Sequence, residues 1–243
     1  MYSPMKAIIE YYNKTAAKSA MRYQGRLLEY FKNLEGDVFL SLSKIDNKKI
    51  VLDVGTGVGW FVGLIESKAK TAVGIDFSKE RLRIAKSEYD GEFILGDAKH
   101  LPFKDKSFNL VVCMGMFEYV KNLTEYLYEM KRVMDNNSEL IFTTANQDYM
   151  LRFINNFFFF KSSGGNRVNH TMEGVKSQLE ACGFELIGYT STFFFHPMGI
   201  SKLPHGLDLI YLKAIICLNK ALAIVTPKRG GTLIFHCKVN PEG

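Results

Sequence analysis

The stretch Asp53-Val54-Gly55-Thr56-Gly57-Val58-Gly59 limits the possible fold more than any other part of this 243-residue chain. It ends the apolar run KIVLDVG (49–55), which reads as a buried strand, and it opens a helical pattern over 60–69. Glycines are needed where a chain turns sharply and where a ligand must approach backbone with no Cβ in the way. A second acid, Asp76, closes the next strand-like run, TAVGID (71–76). A carboxylate at the end of that strand can accept both hydroxyls of a ribose.

The alternation continues along the chain. EFILGD (92–97), FNLVVCM (108–114), ELIFTTA (139–145), FELIGYTST (184–192) and TLIFHCKV (232–239) read as five more strands. Helical patterns cover 79–87 with Ser78 as N-cap, 124–134, and 171–182 with a stop at Gly183; 135–138 (DNNS) reads as a turn. Residues 5–35 read as one or two helices. Strands alternating with helices of this length predict an α/β fold, with a seven-stranded, mostly parallel sheet covered by helices on both faces. The chain then divides into an N-terminal helical cap (1–47), a core (48–145), and a substrate side (146–243). The substrate side holds the last two strands and insertions after strands 5 and 6, at 146–170 and 193–231. Ligands of open α/β sheets sit beyond the carboxyl ends of the strands, where the cap and the insertions form a roof.

The glycine spacing narrows the cofactor. A dinucleotide fingerprint reads G-x-G-x-x-G and faces a pyrophosphate. Here the pattern is D-x-G-x-G-x-G, and an acid two positions before the first glycine repels pyrophosphate but suits an ammonium. A ligand with a ribose and an amino-acid tail fits best, which favours S-adenosylmethionine (product S-adenosylhomocysteine) over NAD.

Several motifs in order over 48–145 resemble the class I S-adenosylmethionine-dependent methyltransferases, in particular the broad small-molecule group called type 11. VLDVGTGVG (51–59) is similar to that family's motif I, and the resemblance implies cofactor contacts from Asp53, Gly55, Thr56, Gly57 and Gly59. GIDFS (74–78) is similar to motif II, implying Asp76 on the ribose and Phe77 against the adenine. GDAKHLPF (96–103) is similar to the third signature, implying that Asp97 contacts the adenine amino group and Ala98 its ring edge. SFNLVVCMGMFEYV (107–120) resembles motif IV and its sequel, with Cys113 and Met114 at the methionine end. The family also implies a Rossmann-like single domain whose N-terminal helices close over the cofactor, which points to Tyr11 and Tyr12. Two departures stand out. Tyr119 replaces the family's common histidine after strand 4, and Gly115-Met116 replaces small polar residues.

Methyl transfer from a sulfonium is an in-line displacement, and orientation alone is worth roughly 7–11 kcal/mol in well-aligned systems. A general base is needed when the acceptor must lose a proton, as a hydroxyl does. His170, His196 and His205 fall in or beside the roofing insertions, and the first two are the candidate catalytic bases. His100 reads as a loop residue and His236 as structural. Phe157–Phe160, Phe193–Phe195 and Tyr23 read as lid packing.

Apolar residues at 47% and charged residues at 23% exclude a disordered or fibrous chain. Four cysteines without C-x-x-C spacing argue against a disulfide framework or a structural metal. With no signal-like N-terminus, the expected location is cytoplasmic. Residues 1–49 carry nine Lys/Arg and five Asp/Glu, net +4; residues 201–243 carry six and two, again +4; the middle is −2. Residues 207–225 form a long apolar run holding Asp208, Lys213, Asn219 and Lys220. It reads as a buried helix, or alternatively as an interfacial helix that gives peripheral membrane contact through 202–229. The expected partner is a small-molecule acceptor, lipid or glycan precursor, amphiphilic and anionic, with O-methylation preferred. An RNA methyltransferase and a non-catalytic cofactor-binding regulator are the alternatives. Nucleic acid is disfavoured because no clustered basic stripe or N/D-P-P-[YF] tetrapeptide is present.

Overall fold

The computed structural model describes residues 3–22, 30, 32–150, 168–194 and 206–240. The strands are β1 (Ile50–Val54), β2 (Thr71–Asp76), β3 (Glu92–Leu95), β4 (Phe108–Cys113), β5 (Met134–Asn146), β6 (Asn169–His170), β7 (Phe184–Thr192) and β8 (Thr232–Val239). The helices are α1 (Ser3–Lys14), α2 (Ala16–Arg22), α3 (Asp37–Ser43), α4 (Trp60–Ile65), α5 (Lys79–Glu88), α6 (Thr124–Val133), α7 (Met172–Ala181) and α8 (Leu207–Val225). A π-helical turn, Lys32–Gly36, leads into α3, and a 3₁₀ turn, Phe117–Tyr119, follows β4.

The sheet runs β3-β2-β1-β4-β5-β8-β7, with β6 paired to β5. β1 to β5 run parallel to one another, and β8 inserts antiparallel between β5 and β7. All seven expected strands form; the two-residue β6 joins as an eighth, too short for any periodicity to reveal. β1 lies where the strand order reverses, between β2 and β4, so their carboxyl ends open a crevice there.

Alternate side chains build a core on each face. Leu52, Val54, Val111 and Phe142 meet Leu127, Met130 and Val133 of α6 and Val175 and Leu179 of α7. Val51, Val112 and Ile141 meet Phe39 of α3, Phe61 and Ile65 of α4, and Leu82 of α5. This two-sided burial explains why β1 and β4 read as unbroken apolar runs. A third, smaller cluster joins Tyr30, Leu34, Phe193 and Leu212 of α8, locking the N-terminal segment to the substrate side.

Local chemistry sets the helix starts. Ser78 Oγ accepts the Arg81 amide at 3.4 Å and Thr171 Oγ1 accepts the Gly174 amide at 3.1 Å. The expected turn at 135–138 is instead a bulge inside β5. Phe108 pairs with Met134 and Leu110 with Glu139, so the DNNS residues loop out and the ladder resumes beyond them. Helix α3 lies beyond the helical pattern read over 5–35 but inside the expected helical cap, its seven residues being too few to establish a period of their own.

The carboxyl end of β5 is clamped by Asn146. Its Nδ2 donates to the carbonyls of Lys228 (2.8 Å) and Gly230 (2.7 Å), and its Oδ1 accepts the Asp148 amide (2.9 Å). Asn146→Ala leaves buried carbonyl oxygen without a donor, and the expected loss is about 1–3 kcal/mol in chemical denaturation. Unchanged stability would mean that the 226–231 turn is held otherwise.

Candidate functional site

The carboxyl ends of β1, β2 and β4 carry the residues singled out by sequence. Gly55, Gly57 and Gly59 all adopt positive φ (77°, 57° and 80°), a conformation that L side chains resist. The Gly55 and Thr56 amides donate to the Ile75 carbonyl at 2.8 and 3.0 Å, tying the loop to the end of β2. A Cβ at Gly59 would lie 2.8 Å from Ala85 and Phe93, so that glycine serves packing of α5 and β3. At Gly57 the nearest heavy atom to a built Cβ is Arg81 Nη1, at 3.6 Å. Space is open over Gly57, and it is there that a ligand can approach the backbone.

Asp76 completes the cradle. Its Oδ2 accepts the Gly57 amide at 2.9 Å and its Oδ1 the Ser78 amide at 2.8 Å. Burial raises its pKa, while the Ser78 amide, the Arg81 charge and the Gly57 and Phe77 amides pull the other way. Asp53 lies deeper and is fully buried. Desolvation pushes its carboxyl up to about 7; the Thr56 hydroxyl opposes that shift and the nearby Asp76 adds to it. One acid is thus wired to the loop, and a second can be charged by a cation placed beside it.

Helix α1 closes over this corner. Asn13 Oδ1 accepts from Ser78 Oγ at 2.7 Å, so the N-cap of α5 also anchors α1. The Tyr12 ring stands edge-on to Phe77 (5.3 Å between centroids) and to Tyr119 (6.0 Å), and the Arg81 guanidinium lies 4.3 Å from its centroid. Tyr11 packs edge-on against Tyr12 and faces outward. Asp97 and Ala98 follow β3, where the Asp97 carboxylate accepts the Lys99 amide at 2.9 Å and Ala98 packs on the first core cluster. Met114 leaves β4 half-buried against the second core cluster. Cys113 lies in the core; burial raises its thiol pKa well above the usual range, so it stays a neutral packing group.

His170, on β6 beside Asn146, is buried, with Nε2 3.2 Å from the Phe117 carbonyl. His196, His205, Phe157–Phe160, Phe195 and Tyr23 lie outside the described residues. His100 is exposed, and His236 pairs with Glu139 at 3.0 Å within the sheet, away from the glycine loop. Two residues were missed by sequence reasoning. Asn13 carries no motif, whereas Arg81 was detectable three positions beyond the Ser78 cap, on the turn facing the loop. Among the described residues no three His, Cys, Asp or Glu side chains are grouped to hold a metal ion.

A family model described as "Methyltransferase domain" matches residues 52–142, the span of the glycine loop, Asp76 and the strand-4 segment. An uncharacterized protein of Methanocaldococcus jannaschii is 30% identical over 198 residues, covering 79% of this chain and 81% of its own length. A malonyl-[acyl-carrier protein] O-methyltransferase of Hamiltonella defensa is 29% identical over 140 residues, or 56% of this chain; the chain spans 54% of that enzyme. In fold, the chain resembles one from the complex between the Haloferax volcanii Trm112 methyltransferase activator and a methyltransferase. The TM-score is 0.68 at 15% identity, with 94% of this chain and 96% of that one covered.

The pH dependence of stability follows from Asp53. Its carboxyl titrates near 3.8 when unfolded and near 7 when buried, so the neutral form favours the fold. Stability from this group is complete below pH 3.8 and is lost as pH rises toward 7, by a few kcal/mol, with Asp76 contributing in the same direction. In urea titrations between pH 4 and 7, Asp53→Asn should show a flatter profile than wild type. Parallel profiles would show that Asp53 ionises normally.

Proposed function

The chain belongs to the class I S-adenosylmethionine-dependent methyltransferases, enzymes with S-adenosylmethionine as cofactor, and from that premise we propose that it methylates a small amphiphilic, anionic acceptor, preferentially on oxygen. The acceptor class covers small molecules, lipids and glycan precursors. The observation that carries this reading is a polar cradle edged by aromatic rings: the open backbone at Gly57 beside Asp76, with Tyr12 packed against Phe77. The similarity to an O-methyltransferase acting on malonyl-[acyl-carrier protein] supports an oxygen atom and an anionic acceptor. An RNA acceptor is disfavoured because the sequence carries no clustered basic stripe and no N/D-P-P-[YF] tetrapeptide.

The bound cofactor supplies an electrophilic methyl group on a sulfonium. Asp76, its oxygens already oriented by two amides, accepts the ribose hydroxyls, and Phe77 bounds the adenine with Asp97 and Ala98 at its edge. Gly55, Thr56, Gly57 and Gly59 present backbone to the amino-acid tail. Asp53 gains its charge when the ammonium arrives. Met114 and the backbone at Cys113 border the methionine end. Tyr12 covers the ribose side, and Tyr11 flanks it, so water is excluded once α1 is seated. Cap (1–47), core (48–145) and substrate side (146–243) then act as one domain.

His170 is the base in this reading, with His196 as the second candidate. The Phe117 carbonyl can only accept, so Nε2 carries the proton and Nδ1 keeps the lone pair that can take a proton from an acceptor hydroxyl. The reading is tested by following S-adenosylhomocysteine release with amphiphilic hydroxy and carboxylic acids, uncharged phenols and RNA as acceptors. Turnover confined to the anionic amphiphiles supports it; turnover with RNA alone, or with none, contradicts it. With an accepted hydroxyl substrate, His170→Gln should lower kcat by about 10²–10⁴-fold. An unaltered kcat would remove His170 from proton transfer.

A further inference from the structure

Helix α8 inverts the usual order of a surface helix. Its fully buried residues are Asp208, Asn219 and Leu212, whereas Leu207, Ile210, Leu218, Ile224 and Val225 are 46–83% exposed. Asp208 Oδ1 accepts the Gly206 and Leu209 amides (2.9 and 2.7 Å), and Asn219 Nδ2 donates to the Ile215 carbonyl (2.8 Å). At 100° per residue the exposed side chains, with Ala214 and Ala221 between them, fall on one face. That face runs the length of a 19-residue helix, about 28 Å. A continuous apolar surface of this extent marks a contact site, not ordinary solvent exposure.

The charges beside it state what the face fits. Lys213 and Lys220 border it and Lys228 and Arg229 lie just beyond its end, while no Asp or Glu occurs between Asp208 and Glu242. Lys220 reaches Asp37 of α3 at 3.0 Å, and Leu212 packs with Tyr30 and Leu34. The stretch 30–37 of the N-terminal flank is therefore brought beside α8. An isologous pairing of α8 with a second copy would set this net positive border, with Lys213, Lys220, Lys228 and Arg229 against Asp37, opposite itself. Anionic headgroups with acyl chains between them satisfy both the cations and the apolar face. Among the described residues no helix is long and apolar enough to cross a membrane, so the contact is one of lying on the surface.

We infer that the outer face of α8 docks on an anionic lipid surface. β7 ends at Thr192 and β8 begins at Thr232, paired with each other and beside Ala145 of β5. The end of β7 and the start of β8 thus lie at the same end of the sheet as the glycine loop. Docking through α8 places the protein at the headgroups, where an amphiphilic acceptor can be taken up without leaving the lipid. Only that delivery rests on the acceptor proposed above; the docking itself does not depend on it.

Flotation of the full chain with vesicles of phosphatidylcholine alone, or mixed with phosphatidylglycerol, tests this. The expected result is binding to the mixed vesicles, weakened by salt, and reduced about tenfold or more by Ile210→Asp or Ile224→Asp. Lys213→Glu should weaken binding to mixed vesicles more than to neutral ones. Calorimetry with S-adenosylhomocysteine should be unchanged in these variants, which keeps loss of docking apart from loss of fold or of cofactor binding. A wild-type chain that stays in solution with both vesicle types overturns the inference. So does a dimer in solution that Ile224→Asp dissociates, since the face would then be covered by a second copy.

Discussion

The Asp76 carboxylate, gripped by the amides of Gly57 and Ser78, joins three parts of the molecule at one point. Its first oxygen fixes the glycine loop after β1, and its second fixes the start of α5 after β2. The same corner anchors α1, because Asn13 accepts from the hydroxyl of Ser78, the N-cap residue. Loop shape, helix start and cap position thus follow from one buried acid, whose desolvation is partly countered by backbone donors and Arg81. The cost is a polar group held in the interior at a place where a packed apolar residue would be more stable. Such an arrangement persists where a ligand makes use of it.

The division of labour between the two acids has a physical basis in depth. Burial is the largest influence on both acids, but Asp76 meets several donors already in place, whereas Asp53 has the Thr56 hydroxyl to oppose it and is pushed up to about 7. A cation arriving beside Asp53 draws the proton off and gains a fixed negative charge in a low-dielectric site. Beside these acids Tyr12 packs edge-on against Phe77 and Tyr119.

The central sheet and the glycine loop were legible in sequence because each strand is buried on both sides and each glycine answers a steric demand. The loop's positive φ angles and the Gly59 contact with Phe93 are that demand in atomic form. Other features had no local signature. β6 is two residues long, and the bulge at 135–138 uses residues that equally suit a turn. The bounds of α8 were readable but its orientation was not, since a nearly uniform apolar helix gives no stripe to aim. Only the positions of Asp208 and Asn219 against the body of the protein decide which face is outward. The role of Asn13 depends on a contact across 65 positions of chain, beyond the reach of any pattern.

The account stands on Asp76 as the ribose-binding acid of an S-adenosylmethionine site. Calorimetric titration of S-adenosylhomocysteine into wild type and Asp76→Ala, each checked for fold by circular dichroism, tests it most directly. Saturable binding to wild type, weakened by about a hundredfold in the folded variant, is the predicted result. Equal affinity in both proteins would place the ribose elsewhere and contradict the account.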